Sequence, residues 1–590
     1  MTNNTAPPAI DRRTVARALD EVSRYLEFSD ANKFKALAFR NAARRMEDVQ
    51  TDMRTFVESG EVDRTPGIGK AIGPMIVELV TTGALRYLDD LRAQYPSGIL
   101  DLVRIPGLGT RKIGQLYEQL GIGSVDELET ACRESRLASL AGFGKKTEQK
   151  ILEGIEFLKR QSERFLLPRA IEAAEALERD LNVLDGVAQV MVSGAVRRRL
   201  EVVTRIDLCV SAKAPASAAR AAIEGGILEQ DSIDENGMLT GIARFGIPAF
   251  VSFCKPPELI STLFISTGSE AFVTAVRMRA ERKGFSLTDK ALESGGKKVA
   301  LGSEHALFSR LGLAFVPPEL RESAEPLELE RAIQLIEPED LQGTFHVHTT
   351  YSDGRATLHD MLASARDRGF AYVGISDHSK TAAYAGGLTE DRVEEQRAEI
   401  ESLRASFPSM RIFHGTECDI LPSGEMDYGP ETLSRFDFVI ASVHSQFKTP
   451  RDEMTDRIVR AIHNPHVTFL GHLTGRLLLS REGYSVEFDR IFDEAAKSGV
   501  MIEINGNPRR LDLDWRLMQR AIDRGVIFSI NPDAHSTGEL GNILPGIWAA
   551  RKGGVGLRHI FNTLPVEEVE AHFKRRHAAA ATEAGPRARA

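Results

Sequence analysis

The residues best suited to chemistry in this chain are its histidines. Of the fourteen, His305 comes first and all the others fall at or beyond His346. His346 and His348, Asp377 and His378, Glu417, His444, His472, and then Asp533 and His535 each stand at the end of a short apolar run or just after it. A lone histidine in a strand is more often a packed core residue. So many imidazoles and carboxylates at successive strand ends instead form the pattern of a metal cluster. Mixed nitrogen and oxygen donors suit Mn²⁺ or Zn²⁺. The four cysteines (Cys132, Cys209, Cys254, Cys418) include no C-x-x-C pair, so neither a cysteine zinc ribbon nor a disulfide framework can form, and a reducing, cytoplasmic setting is expected. His359, His414, His463 and His466 have no partner motif and are expected to be structural.

The runs that must position these donors lie at 344–348, 372–377, 412–417, 438–443, 468–471, 501–505 and 527–531, with amphipathic helices such as 393–403, 454–463 and 517–524 between them. Seven such repeats fit a parallel β/α barrel close to the TIM type. Sites in such barrels form at the C-terminal ends of strands, so the side chains are expected to converge on one mouth. Arg476 and Arg510, just past the fifth and sixth runs, could clamp a phosphate through paired N–H donors or bridge to the scaffold.

The motifs H-x-H-T-x-x-S-D-G (346–354), D-H-S (377–379), G-x-E (415–417), S-V-H (442–444), G-H-x-T-G-R (471–476) and D-A-H (533–535) resemble the PHP family, the polymerase and histidinol phosphatase domain. The resemblance implies a distorted (β/α)7 barrel and nine metal ligands: His346, His348, Asp353, His378, Glu417, His444, His472, Asp533 and His535. It further implies up to three Mn²⁺ or Zn²⁺ ions. One would be held by His346, His348, Glu417 and Asp533, a second by Glu417, His444 and His472, and a third by Asp353, His378 and His535. Glu417, His346 and Asp533 would then be the catalytic core, and phosphoester hydrolysis by a metal-bound hydroxide the reaction.

Amphipathic spacing at 15–26 and 72–80 predicts helices at the other end of the chain. There a turn recurs three times: Thr-Pro-Gly-Ile-Gly-Lys at 65–70, Ile-Pro-Gly-Leu-Gly-Thr at 105–110 and Leu-Ala-Gly-Phe-Gly-Lys at 140–145. Its glycine pairs (Gly67 and Gly69, Gly107 and Gly109, Gly142 and Gly144) permit positive φ and line up N–H groups at a helix start, a phosphate-sized nest. Lys70, Arg111, Lys112, Lys145 and Lys146 stand beside these nests. The pattern resembles the helix-hairpin-helix motif and implies contact with DNA backbone irrespective of sequence. Plain closure of an αα-hairpin is the simpler alternative for a single copy.

Between them, Gly194-Ala-Val-Arg-Arg198 leading to Arg205-Ile-Asp207, with Thr267-Gly-Ser269 and 311–322, resembles the palm and thumb of bacterial family X DNA polymerases, whose members carry a C-terminal PHP domain. Predicted palm strands lie at 189–193, 206–211 and 250–254. The likeness fails where polymerase chemistry needs it. The family's three aspartates fall on Arg205, Asp207 and Phe250; arginine and phenylalanine cannot ligate Mg²⁺, so a two-metal polymerase site is not expected. The position of the family's lyase lysine falls on Met75, which cannot form an imine.

Length and charge complete the expectation. A chain of 590 residues implies several domains at about 100 to 200 residues each. The boundaries are placed at 1–85 (helical, helix-hairpin-helix), 86–160 (a second helix-hairpin-helix region), 161–260 (palm), 261–322 (thumb), 323–342 (acidic linker with a short helix at 327–336), 343–575 (PHP) and 576–590 (disordered tail). The net charge of −9 conceals 44 residues of each sign over 1–322, so nucleic acid must be held by local patches rather than by a summed field. A general description as a disordered chain is excluded, and no apolar run reaches the roughly 18 residues of a bilayer span. The expected protein is a monomeric DNA-repair exonuclease acting on gapped DNA or 3′ ends, with an inactive polymerase module. A working gap-filling polymerase with PHP proofreading and a small-molecule phosphatase of the histidinol phosphatase type are the alternatives.

Overall fold

The computed structural model describes residues 10–583 except 29–32, 50, 66, 141, 162, 235–236 and 329–333. The chain folds as two compact units, 1–163 and 164–590.

The described part of the first unit is helical, with one apolar core containing Leu19, Phe39, Ile76, Ile113, Leu116 and Ile155. Helix Arg12–Leu26 starts at Asp11, whose side chain accepts from Thr14 N at 2.8 Å. The three glycine turns share one geometry. The first glycine of each has positive φ (88° at Gly67, 82° at Gly107, 87° at Gly142). The middle residue (Ile68, Leu108, Phe143) is buried and donates its N–H to the carbonyl three positions back. Helices Gly73–Thr82, Thr110–Leu120 and Lys145–Gln161 follow the turns.

The second unit begins with a five-stranded sheet: β1 (Val187–Ser193), β2 (Ile206–Ala212), β3 (Glu229–Ile233), β4 (Met238–Ala243) and β5 (Ile247–Cys254), in the spatial order β1-β2-β5-β4-β3. β2 and β5 are parallel and place Asp207 beside Phe250. The β3–β4 hairpin was not foreseen, because β3 (Glu-Gln-Asp-Ser-Ile) is polar and mostly exposed, with no apolar alternation to reveal it. Helices and a small three-stranded sheet follow, packed around Phe264, Phe272 and Phe308. There Arg321 is fully buried and bonded to Glu304 and to the Val316 carbonyl.

The barrel comprises β6 (Gly343–Val347), β7 (Tyr372–Ile375), β8 (Arg411–Asp419), β9 (Phe438–Ser442), β10 (Phe469–Leu470), β11 (Met501–Asn505) and β12 (Phe528–Asn531), parallel and paired in chain order. Hydrogen bonds from His348 N to Ala534 O (2.8 Å) and Ala534 N to His346 O (3.1 Å) bring the ends together, so the cylinder is nearly closed. An aromatic cluster that includes Phe345, Phe413, Phe438, Phe469 and Phe573 packs it. Gly415 of the G-x-E motif lacks a side chain for a steric reason: a Cβ there would collide with the Phe438 ring.

Two expectations are corrected. The acidic segment 323–342 is no free linker: Leu335 bridges to Gly556, Ile336 belongs to the barrel core, and Arg551 bonds both the Ile336 carbonyl (2.8 Å) and Glu337 (2.6 Å). Only a short 3₁₀ turn, Glu325–Glu328, occupies the start of the helix expected there, and 329–333 lie outside the described residues. The tail expected from 576 continues helix Val566–Glu583 instead. Its alanine run is a strong helix former, Ala580 is buried, and Arg576 bonds the carbonyls of Val467, Ser498 and Gly499. Residues 584–590 lie outside the described residues.

Candidate metal centre

Ligand atoms from the ends of six strands, all but β11, meet at the barrel mouth. His346 Nε2 lies 3.3 Å from Glu417 Oε2 and 3.5 Å from Asp533 Oδ1; His348 Nε2 lies 3.6 Å and 3.5 Å from the same two oxygens. Four donors around one ion at bond lengths of about 2.0–2.2 Å stand roughly 3.4 Å apart along each edge of a tetrahedron, so this spacing has the size of a cation. Glu417 turns its other oxygen the opposite way: Oε1 is 2.9 Å from His472 Nε2 and 3.2 Å from His444 Nε2. One carboxylate thus faces two donor sets. A further set joins Asp353 Oδ1 to His378 Nε2 (3.6 Å) and His535 Nε2 (3.4 Å). Every one of the nine expected ligands belongs to a group capable of holding a metal. The groups overlap more than the three expected sets, which share Glu417 alone, since His348 also lies with the Asp353 group and His378 also lies with Glu417 and His444.

Burial makes a cation fit. His346 Nε2, both nitrogens of His348, His378 Nδ1 and His472 Nδ1 are buried with no hydrogen-bond partner, a state that costs free energy unless something binds there. The backbone is strained at the same places, with positive φ at His346 (61°), His472 (26°) and Asp533 (52°). Side chains rarely adopt such φ values without a functional constraint.

Electrostatics tell the same story. Burial opposes charge on His346, yet Glu503, Glu417 and Asp533 raise its pKa well above the ordinary imidazole value. Burial likewise works against ionised Glu417, and His346, His444 and His378 outweigh it, holding the carboxyl well below its usual range. His444 and His535 rise to about 9 against burial, drawn by Glu417 and Asp419 and by Asp353 and Asp533 respectively. Burial, the largest influence on His378, takes it down to about 3. The carboxylates therefore hold positive charge in the cluster as protons, which a bound metal would displace.

The sequence reading missed the residues that orient these ligands. Glu503, wholly buried on β11, meets His346 Nδ1 at 2.5 Å, and Asp419 on β8 meets His444 Nδ1 at 2.7 Å. Each fixes the Nδ1–H tautomer and leaves Nε2 as the ligand atom. Glu503 stands two residues before Asn505 in a strand with no motif, so only its placement reveals it. Asp377 turns from the ligands and accepts from Thr349 N (2.8 Å), Thr349 Oγ1 (2.7 Å) and Gln396 Nε2 (2.6 Å). Of the histidines expected to be structural, His414 is buried and bonded to Gln396 at 3.1 Å, and His463 pairs with Glu494.

The two candidate phosphate arginines separate. Arg476 is buried, with Nε on the Arg510 carbonyl at 2.9 Å and its remaining nitrogens on Asp514 and the Leu511 carbonyl. It is a scaffold brace, which corrects the clamp reading. Arg510 points into the centre, with Nε 3.3 Å from Asp533 Oδ2.

At the palm, Arg205 Nε pairs with Asp207 Oδ1 at 3.0 Å, and its guanidinium lies 4.4 Å from the centroid of the Phe250 ring. The three positions of the family's carboxylates thus touch one another with a fixed cation among them. Burial raises the Asp207 pKa, with Arg205 opposing it. In the helical unit, Met75 packs against the core. A Cβ on any of the six turn glycines would meet nothing within 4 Å, so the turns face open space. Lys70, Arg111, Lys145 and Lys146 are exposed, while Lys112 Nζ lies 5.3 Å from the Phe143 ring of the next copy.

Among the described residues no helix is long and apolar enough to cross a membrane. Helix-hairpin-helix domain families match 11–85 and 99–156, the DNA polymerase beta thumb matches 262–322, and the PHP domain matches 344–507. The "DNA polymerase/3'-5' exonuclease PolX" of Bacillus subtilis is 33% identical over 569 residues, 96% of this chain and 99% of that protein. Two proteins named as probable phosphatases align over little more than a third of the chain. One from Thermoanaerobacter is 24% identical over 241 residues (39% of this chain, 93% of its own), and one from Vibrio campbellii is 28% identical over 220 residues (35% and 81%). With likeness along nearly its whole length and a metal-binding PHP barrel at its C-terminal end, the chain is a metal-dependent hydrolytic enzyme of the bacterial PolX family.

Proposed function

We propose that the barrel removes nucleotides from DNA 3′ ends by metal-dependent phosphodiester hydrolysis, in DNA repair in the cytoplasm. The carrying observation is the 3.3–3.6 Å spacing of the His346 and His348 nitrogens from the Glu417 and Asp533 oxygens, with Glu417 turned to a second set. Two or three Mn²⁺ or Zn²⁺ ions held by the nine ligands would lower the pKa of a water and balance phosphate charge. The chain's own residues do the rest. Glu503 and Asp419 hold the His346 and His444 rings in the ligating tautomer. Arg510 presents a guanidinium beside Asp533 for a phosphate oxygen. The helix-hairpin-helix turns, with Lys70, Arg111, Lys145 and Lys146, bind the backbone of gapped DNA or DNA ends without reading sequence, and the enzyme works as a monomer.

Labelled oligonucleotides with Mn²⁺ test this. Wild type should shorten a 5′-labelled strand stepwise, and His346→Ala or Glu417→Ala should slow it at least ~100-fold. Equal degradation by all three would remove the barrel as the nuclease.

The name of the Bacillus relative favours a second reading, a gap-filling polymerase with PHP proofreading. Arg205 and Phe250 weigh against it, because the pair fills the place of two carboxylates with a fixed cation and a ring. Primer extension across a one-nucleotide gap decides: incorporation abolished by Asp207→Ala would establish the polymerase. The relatives named probable phosphatases favour a small-molecule phosphomonoesterase, against which salt-dependent DNA binding would count.

A further inference from the structure

We propose that Tyr384 is the platform on which the last base of a single-stranded DNA 3′ end stacks while its phosphodiester lies at the metal centre. This inference rests on the exonuclease reading above and adds what the site grips. Tyr384 sits in the loop after β7, on the short 3₁₀ turn Ala383–Ala385, and is 72% exposed. Its ring centroid lies 6.2 Å from that of His378 and 6.3 Å from that of His444, two of the metal-site imidazoles. Both meet it at steep angles, 60° and 71°, so among the described residues nothing stacks on its face.

The exposure does not come from a slack loop. Ala382 and Ala385 are buried, Thr381 N donates to Asp427 Oδ2 at 2.7 Å, and Leu388 N donates to the His378 carbonyl at 2.9 Å. A Cβ on Gly387 would collide with the Ser379 carbonyl, so the loop doubles back against the strand end. An aromatic ring is thus held out to solvent by a fixed backbone beside the ligands.

Nearby aromatics are engaged otherwise. Phe447, in the loop after β9, contacts Arg481 (4.1 Å from its ring centroid) and stacks near the Tyr484 ring (6.1 Å, 19°). The Tyr351 hydroxyl is bonded to Glu399 at 2.6 Å. Tyr384 therefore offers an unoccupied π-face, and Arg510 supplies positive charge at the same centre. An aromatic face beside a cation is the means by which proteins hold single strands irrespective of sequence, because every base has a π-face and the charge follows the backbone. A base parted from its duplex partner is free to turn its face onto Tyr384, which favours a frayed or single-stranded end as the substrate.

The test compares two 5′-labelled single-stranded oligonucleotides with Mn²⁺, one ending in a normal nucleotide and one in a base-free tetrahydrofuran residue carrying the same phosphodiester. Wild type should show a KM about tenfold lower for the base-bearing end, a difference within the range of base–aromatic stacking. Tyr384→Ala should bring the ratio of the two KM values close to one, and Tyr384→Trp should restore it. A ratio is insensitive to the fraction of folded enzyme. If Tyr384→Ala keeps the wild-type ratio, or wild type shows no preference, the stacking proposal falls while the exonuclease reading stands. If wild type cleaves neither oligonucleotide, the exonuclease reading falls and this proposal with it.

Discussion

At the metal centre a few side chains outside the ligand set decide whether the ligands work. Glu503 is the clearest, since it holds His346 Nδ1 at 2.5 Å and also accepts from the His472 backbone N–H at 2.8 Å. Glu503→Gln keeps the shape and removes the charge, and should weaken metal binding by about 10- to 100-fold in a chelator-competition titration; wild-type affinity would show that the carboxylate is only packing. The two arginines should differ just as plainly. Arg476→Ala breaks a buried network around Asp514 and should cost about 3–5 kcal/mol in denaturant unfolding. Arg510→Ala should leave stability nearly intact and lower the rate of DNA hydrolysis. The sequence placed both arginines beside strands five and six but held no sign that Arg476 turns to the scaffold, because two of its three partners are carbonyls, which every residue has.

At the scale of elements, the glycine turns and the barrel strands were legible for different reasons. Each barrel strand is an apolar run, every one but β11 has a ligand at or just past its end, and all seven form where the sequence predicts them. The turns declared themselves by repetition, and their positive φ at Gly67, Gly107 and Gly142 explains the glycine. The β3–β4 hairpin stayed hidden because its polar strand is held by hydrogen bonds to β4 rather than by burial. If the turns grip phosphates, Lys145→Ala should lower the slope of log K against log salt for duplex DNA by roughly 0.9, one contact fewer. An unchanged slope would leave the third turn as a plain hairpin closure.

Across the second unit, the barrel is joined to the polymerase-like part by buried charge. Lys552 Nζ bonds Glu322 and the Glu319 carbonyl, Glu322 also pairs with Arg198 at 2.7 Å, and Trp515 and Arg516 both bond Glu201. Burial takes the Lys552 ammonium down to about 8, below the roughly 10.4 of an unfolded lysine. Between those values the unfolded chain holds the proton and the folded chain does not. Wild-type stability relative to Lys552→Met should therefore rise from pH 8 to about 10.4, by the order of 3 kcal/mol at most. Denaturant curves at pH 7 and 9.5 that differ by the same amount in both proteins would contradict it. By itself the sequence determined which residues are donors, which strands carry them and which family positions had lost their carboxylates, because residue type and strand period are properties of a one-dimensional string. Only the tertiary structure decided that Glu417 splits its oxygens between two donor sets, that Glu503 stands behind His346, that the acidic segment is strapped to the barrel and that Arg205 closes over Phe250. Those facts are distances between residues tens to hundreds of positions apart, fixed by the closure of the barrel and the register of the sheet rather than by local composition.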